Sequence, residues 1–135
     1  MFKQGPLPAF AHGVIEYLAA ALLIAAPFLF SFDAGTATAV SIVAGVAVLI
    51  VTASTALPTG LIRSIPVQAH AVIDVLFALL LIASPFLFGY SDDGTATAFF
   101  IVLGCVHLLV TIATRFVPDE RPREERSRRR PRAAR

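Results

Sequence analysis

The chain has 135 residues, of which 57% are hydrophobic and 15% charged, a higher apolar share than the roughly 45–50% of a soluble domain. Its formal charge of +2 averages two regions: eight arginines against four acids from Pro118 onward, and Lys3, Arg63 and Arg115 against five acids before it. A single cysteine, Cys105, excludes an intrachain disulfide and a paired-cysteine redox site; inside an apolar run it reads as a buried, inert thiol.

Residues 1–6 form a short leader carrying Lys3. The apolar run after it is interrupted by Glu16 and recurs at 70–90, where no signal could lie, so it reads as a retained helix and not a cleaved signal. A first helix is expected over about 9–32, opened by Pro8 in its first turn, where a missing N–H costs nothing. No charge falls between Tyr17 and Phe32, and at about 1.5 Å per residue the run spans a hydrocarbon core of about 30 Å. Asp33-Ala34-Gly35 turns the chain, with Asp33 or Thr36 available to cap a second helix over about 36–57. A linker at 59–64 carries Arg63. A third helix follows Pro66 over about 67–90, then Ser91-Asp92-Asp93-Gly94 turns into a fourth over about 95–116.

The second pair of helices repeats the first. At an offset of 58, residues 12–32 match 70–90 at His12/His70, Leu22/Leu80, Pro27/Pro85, Phe28/Phe86 and Phe30/Phe88, with Glu16/Asp74 conservative. One residue is inserted in the second copy. At an offset of 59 the match resumes through two Gly-Thr-Ala-Thr-Ala runs, Gly45/Gly104, Thr52/Thr111 and Thr55/Thr114. Repeat 1 covers 7–58 and repeat 2 covers 65–117. Each run is about twice the length of a barrel strand, so helices are the spanning element. The expected fold is all-α: a polytopic four-transmembrane-helix bundle made of two tandem hairpins in parallel orientation.

Lys3, Arg63, Arg115 and the arginine tail share one side, and the hairpin tips carry only Asp33, Asp92 and Asp93. The positive-inside rule then puts both termini in the cytoplasm of a cell with this protein in its inner membrane, and Phe28, Phe30, Phe32, Phe86, Phe88 and Tyr90 form an outer aromatic belt. The tail, 118–135, is too polar to bury a core and reads as disordered. Its expected partner is the bilayer, through anionic head groups; with no aromatic interleaving, nucleic acid is not expected.

A doubled unit with a His–acid start and a Ser-Pro-aromatic near the end of its first helix resembles the SPW repeat family of small bacterial membrane proteins. The likeness covers about residues 7–117. Here the motif reads Ala26-Pro27-Phe28 and Ser84-Pro85-Phe86, with phenylalanine where the family has tryptophan. The resemblance implies architecture and carries no biochemical activity with it.

Four groups of residues invite a closer reading. Pro27 and Pro85 should bend the first and third helices, either as a hinge or a freed carbonyl for an ion, or as a fixed bend with Phe28 and Phe86 packed at it; the fixed bend is the simpler. His12 with Glu16, and His70 with Asp74, lie four apart on one helix face. Converging at equal depth, they could pair the repeats, carry protons, bind a divalent metal or ligate a haem; helix capping, snorkelling to the head groups or inter-repeat pairing is preferred, and no metal or cofactor is assigned. His107, opposite Val48 in the other repeat, has no carboxylate expected at its depth and reads as a neutral histidine hydrogen-bonded across an interface. Ala37, Ser41, Gly45 and Gly104 form a small-residue stripe, a packing face first and alternatively a homodimer face. No phosphate loop, nucleophile–base pair or mid-membrane carboxylate pair occurs, so an enzyme is not expected. The reading is an integral membrane structural or interaction module with a basic cytoplasmic tail and an unidentified protein partner. The alternative is a small transporter or proton-coupled permease using His12/Glu16 and His70/Asp74.

Overall fold

Proline sets where the first helix of each repeat begins. Pro8 (φ −71°, ψ 148°) and Pro66 (φ −60°, ψ 143°) hold the residue before the first helical turn in extended geometry, and helix α1 (Ala9–Leu29) and helix α3 (Val67–Leu87) follow directly. Helix α2 (Gly35–Ser54) and helix α4 (Gly94–Ala113) complete the two hairpins. The computed structural model describes residues 5–116; most of the leader and the arginine-rich tail lie outside the described residues. All four helices are long and apolar enough to cross a membrane, and the protein is a four-helix transmembrane bundle.

Each helix ends three residues before the expected end of its apolar run, for a local reason. In α1 and α3 the chain turns through a left-handed residue, Ser31 (φ 52°) and its equivalent Gly89 (φ 71°). Phe32 N–H then closes on the Pro27 carbonyl at 3.1 Å, and Tyr90 N–H on the Pro85 carbonyl at 2.9 Å, the six-residue closure of a Schellman cap. In α2 and α4 the chain straightens at Thr55 and Thr114. Thr114–Arg115 (strand β2) pairs in parallel with Leu7–Pro8 (strand β1), and Thr55 makes the equivalent bridge to Ile65. Each repeat's leading segment is thus tied to the end of the other repeat's hairpin, at one end of the bundle.

Within a hairpin the helices pack backbone to backbone. A Cβ built on Gly45 would lie 2.8 Å from the Ala20 carbonyl oxygen and 3.0 Å from Leu23 Cβ; one on Gly104 would lie 2.9 Å from the Ala78 carbonyl oxygen. The small-residue stripe is therefore a face within the hairpins, buried at Ala37, Ser41 and Gly45. Small residues let helices approach closely where lipid supplies no hydrophobic drive for association. The outward faces are apolar: Phe10, Leu18, Val43, Leu76, Val102 and Leu109 are all well exposed, as contact with lipid tails requires. Cys105 also faces outward, so it is not the buried thiol its setting suggested.

The hairpin tips show three further departures. Phe28, Phe30, Phe86 and Phe88 are exposed in a belt, and Phe28 and Phe86, 71% and 65% exposed, do not pack at the proline bends as expected. Tyr90 turns inward, 2% exposed, and its hydroxyl meets Ser84 Oγ at 2.6 Å. Neither Asp33 nor Thr36 caps α2. Asp93, at the position where the second copy gains a residue, caps α4 through Ala96 N–H and accepts from Asp33 and Ala34 N–H at 2.8 and 2.9 Å. One carboxylate of repeat 2 thereby holds the starts of both α2 and α4.

Candidate functional site: a polar tetrad between the repeats

A residue four positions after another on a helix sits on the same face, and the equivalent faces of α1 and α3 meet at the end of the bundle that carries β1 and β2. His12, Glu16, His70 and Asp74 converge there, and none is more than 3% exposed. The shortest contacts cross between repeats: His12 Nε2 lies 3.1 Å from Asp74 Oδ2, and His70 Nε2 lies 3.1 Å from Glu16 Oε2. The contacts within each repeat are longer, 3.5 Å for His12–Glu16 and 3.3 Å for His70–Asp74. The two Nε2 atoms are 3.4 Å apart.

Of the three roles preferred for these residues from sequence, inter-repeat pairing is the one the geometry brings about. Neither acid snorkels, since both are buried, and neither caps a helix start. Two imidazoles this close leave no width for a macrocycle between them. One atom from each of the four, however, forms a set in which all lie within 4.8 Å of one another, a spacing that could hold a single metal ion.

The far nitrogens of the two histidines have a defined protonation. His70 Nδ1 lies 2.8 Å from Thr55 Oγ1, and His12 Nδ1 lies 2.9 Å from Thr114 Oγ1. Each hydroxyl has one proton, and both give it to a carbonyl one turn back: Thr55 to Val51 at 2.6 Å, Thr114 to Val110 at 2.6 Å. The oxygens can then only accept from the rings. Both histidines carry a proton on Nδ1 and aim Nε2 at the carboxylates. These threonines were not singled out from sequence as partners, although their pairing in the repeat, at the ends of apolar helices, was the available signal.

The tetrad is not fully symmetric. Thr52 Oγ1 sits 3.0 Å from Glu16 Oε2 and 2.8 Å from the Val48 carbonyl. Its equivalent, Thr111, bonds among the described residues only backwards, to the His107 carbonyl at 2.9 Å, Asp74 being one methylene shorter than Glu16. The other oxygen of Asp74 faces His107 Nε2 at 3.9 Å, beyond hydrogen-bond reach. That nitrogen is buried with no hydrogen-bond partner among the described residues, so His107 is not the bonded interface histidine that was expected, and a carboxylate does lie at its depth. Beside it is a cavity of about 160 Å³ lined by Glu16, Val48, Val51, Asp74, Phe77 and His107.

On its other sides the tetrad is closed. The Phe116 ring stands edge-on to both imidazoles, 5.0 Å from His12 and 6.3 Å from His70 between centroids, with Leu57 buried beside it. Toward the hairpin tips, Ala20, Leu23, Val48, Leu81 and Phe100 form a buried apolar layer. Beyond it, Ser41 and Ser84 are buried and bonded to backbone carbonyls freed by the prolines. Pro27 cannot donate to Leu23, whose oxygen instead accepts from Ser41 Oγ at 2.6 Å. Pro85 cannot donate to Leu81, whose oxygen accepts from Ser84 Oγ at 2.8 Å. The freed carbonyls are thereby satisfied by protein, and the two repeats reach that end with serines from different places: Phe100 stands where Ser41 would be, and Ala26 where Ser84 would be.

A family model described as SPW repeat domain matches residues 10–114, a span that takes in both hairpins and the whole tetrad. No curated protein and no solved structure matches the chain.

Proposed function

The chain belongs to the SPW repeat domain family, and from that premise we propose that it is a non-conducting membrane module whose two hairpins are clamped together by the His12/Glu16/His70/Asp74 tetrad. The observation that carries this reading is the buried layer of Ala20, Leu23, Val48, Leu81 and Phe100 between the tetrad and the hairpin tips. A proton or ion leaving Glu16 or Asp74 toward Asp33 and Asp92 would have to cross these apolar side chains with no polar group among them to receive it, and charge in such surroundings is costly.

The side of the membrane follows from charge. Arg63 and Arg115 flank the tetrad end, as do Lys3 and the arginine-rich tail in sequence, which favours a cytoplasmic tetrad in a bacterial inner membrane. The work of the module then falls to its cytoplasmic face, where the tail meets anionic lipid head groups or a protein partner. Catalysis is not part of this reading. The alternative, a proton-coupled transporter, draws on the cavity beside Glu16, Asp74 and His107, which gives the carboxylates a lateral opening but not a path.

Proton and ion flux into liposomes separates the two. Purified protein should raise flux no further than empty liposomes do, and the Glu16→Gln/Asp74→Asn double variant should behave the same. Flux present in the wild type and lost in the double variant would establish the transporter.

A further inference from the structure

We propose that the tetrad is a metal centre: a divalent ion of the zinc class held by His12 Nε2, His70 Nε2 and one oxygen each of Glu16 and Asp74, stapling the two repeats. This goes beyond the non-conducting reading and does not depend on it.

The first argument is spacing. Ligand atoms about 2.0–2.1 Å from a tetrahedral zinc ion are separated by about 3.3–3.4 Å along the edges of the tetrahedron. Of the six edges among His12 Nε2, His70 Nε2, Glu16 Oε2 and Asp74 Oδ2, four are 3.1, 3.1, 3.3 and 3.4 Å; the 3.5 Å contact of His12 is to the other Glu16 oxygen, and one atom from each residue lies within 4.8 Å of the others. The four edges scatter around that edge length, and they include the nitrogen–nitrogen edge, which no acid–base pairing calls for. The competing arrangement is two imidazolium ions hydrogen-bonded to two carboxylates. Charge-assisted N–H to carboxylate bonds run at about 2.7–2.9 Å, and none of these contacts is that short.

The second argument is the fixed tautomer. Thr55 and Thr114 donate their protons to Val51 and Val110, so each ring must donate from Nδ1 and present the other nitrogen to the centre. A metal-ligating histidine characteristically donates its second N–H in this way, which orients the ring and makes the ligating nitrogen more basic. With both rings neutral, the two Nε2 lone pairs would face two carboxylates and each other, an arrangement that repels if nothing lies between them. A dication meets all four and also cancels both negative charges in a buried site.

The third argument is closure and donor set. Phe116 and Leu57 cover the tetrad end. A set of two nitrogens and two oxygens, with both rings locked, suits zinc better than the hard cations, which take six or more oxygens.

The test uses the full, untagged chain purified in detergent. Zinc should co-purify in proportion to protein. After chelation, added cobalt(II) should give the intense visible absorption of a tetrahedral site and be displaced by zinc. His70→Ala should abolish this signal, and Thr114→Val, which keeps every ligand, should weaken cobalt affinity by about 10–100-fold. Folded wild type that takes up neither zinc nor cobalt would overturn the proposal, as would a weak octahedral spectrum or uptake that survives His70→Ala. Should His70→Ala fail to fold, the wild-type cobalt spectrum and the Thr114→Val affinity decide by themselves. A chain that binds zinc yet conducts ions would sink the non-conducting reading and leave the metal centre standing.

Discussion

Ser41 Oγ donates to the carbonyl oxygen of Leu23 at 2.6 Å, and Leu23 is the residue whose carbonyl loses its helical donor because position 27 is proline. The serine and the proline, on different helices, are two halves of one hydrogen-bond arrangement. Ser41→Ala should therefore destabilise the bundle by about 1 kcal/mol, the size of an interhelical hydrogen bond in a membrane. In a Pro27→Ala background, where position 27 regains an N–H that can reach the Leu23 carbonyl, the same substitution should cost clearly less. Unfolding in mixed detergent would measure both; equal costs in the two backgrounds would show that the serine and the proline are unrelated.

Thr55 and Thr114 hold the imidazoles by accepting from Nδ1. Replacing either by Val keeps the shape and removes the acceptor, leaving a buried N–H without a partner at a cost of about 1–3 kcal/mol. Thr→Ser at the same positions keeps the oxygen and should cost much less. Thermal unfolding of the four variants checks this, and a Val variant as stable as its Ser counterpart would contradict the assigned bonds.

Asp93 gives the fold an acid-sensitive joint outside the membrane-spanning segments. Burial pushes its carboxyl up, but the N–H groups of Ala96, Ala34, Asp33 and Thr95 outweigh that and hold it below the ordinary value of 3.8. A group lowered in the folded state contributes stability that is fully present above the unfolded value and lost as pH falls through the folded one. The stability gap between wild type and Asp93→Asn should thus be constant near neutrality, shrink below about pH 4 and vanish at lower pH. A gap that widened on acidification would refute the arrangement.

Gly45 and Gly104 mark where the helices of each hairpin touch. Gly45→Ala and Gly104→Ala would each drive a methyl to within 3 Å of a neighbouring carbonyl oxygen, and overpacking of this kind costs about 1–3 kcal/mol. Gly35→Ala, with nothing within 4 Å of the added carbon, should be neutral or slightly stabilising. Comparing the three in one unfolding series tests whether the stripe packs the hairpin. An unaffected Gly45→Ala would return it to the lipid or to a dimer face.

Much of this protein is written in one dimension. Long apolar runs bounded by Pro8, Pro66 and the acidic tips, with Glu16 and Asp74 their only charges, dictate four spanning helices, because only a helix satisfies its own backbone in lipid. The repeat of His12/Glu16 as His70/Asp74 dictates that whatever these pairs do is done twice at one depth. Helix ends were less legible in the first repeat: Phe30-Ser31-Phe32 and Thr55-Ala56-Leu57 stay largely apolar, and a left-handed Ser31 or an extended Thr55 leaves no mark there.

What only the tertiary structure decided is which polar groups meet. Sequence spacing reports neighbours on one helix, so it pairs His12 with Glu16; the shorter contacts are with Asp74 and Thr114, 62 and 102 residues away. The same holds for Asp93 reaching Asp33 and Ala34, for Tyr90 turning in to Ser84, and for Ser41 completing a bond that Pro27 removed. In a membrane the apolar side chains are nearly interchangeable with lipid and fix only that the helices span. Position is fixed by the few buried donors and acceptors that pair across helices, as His12 does with Asp74 and Ser41 with Leu23.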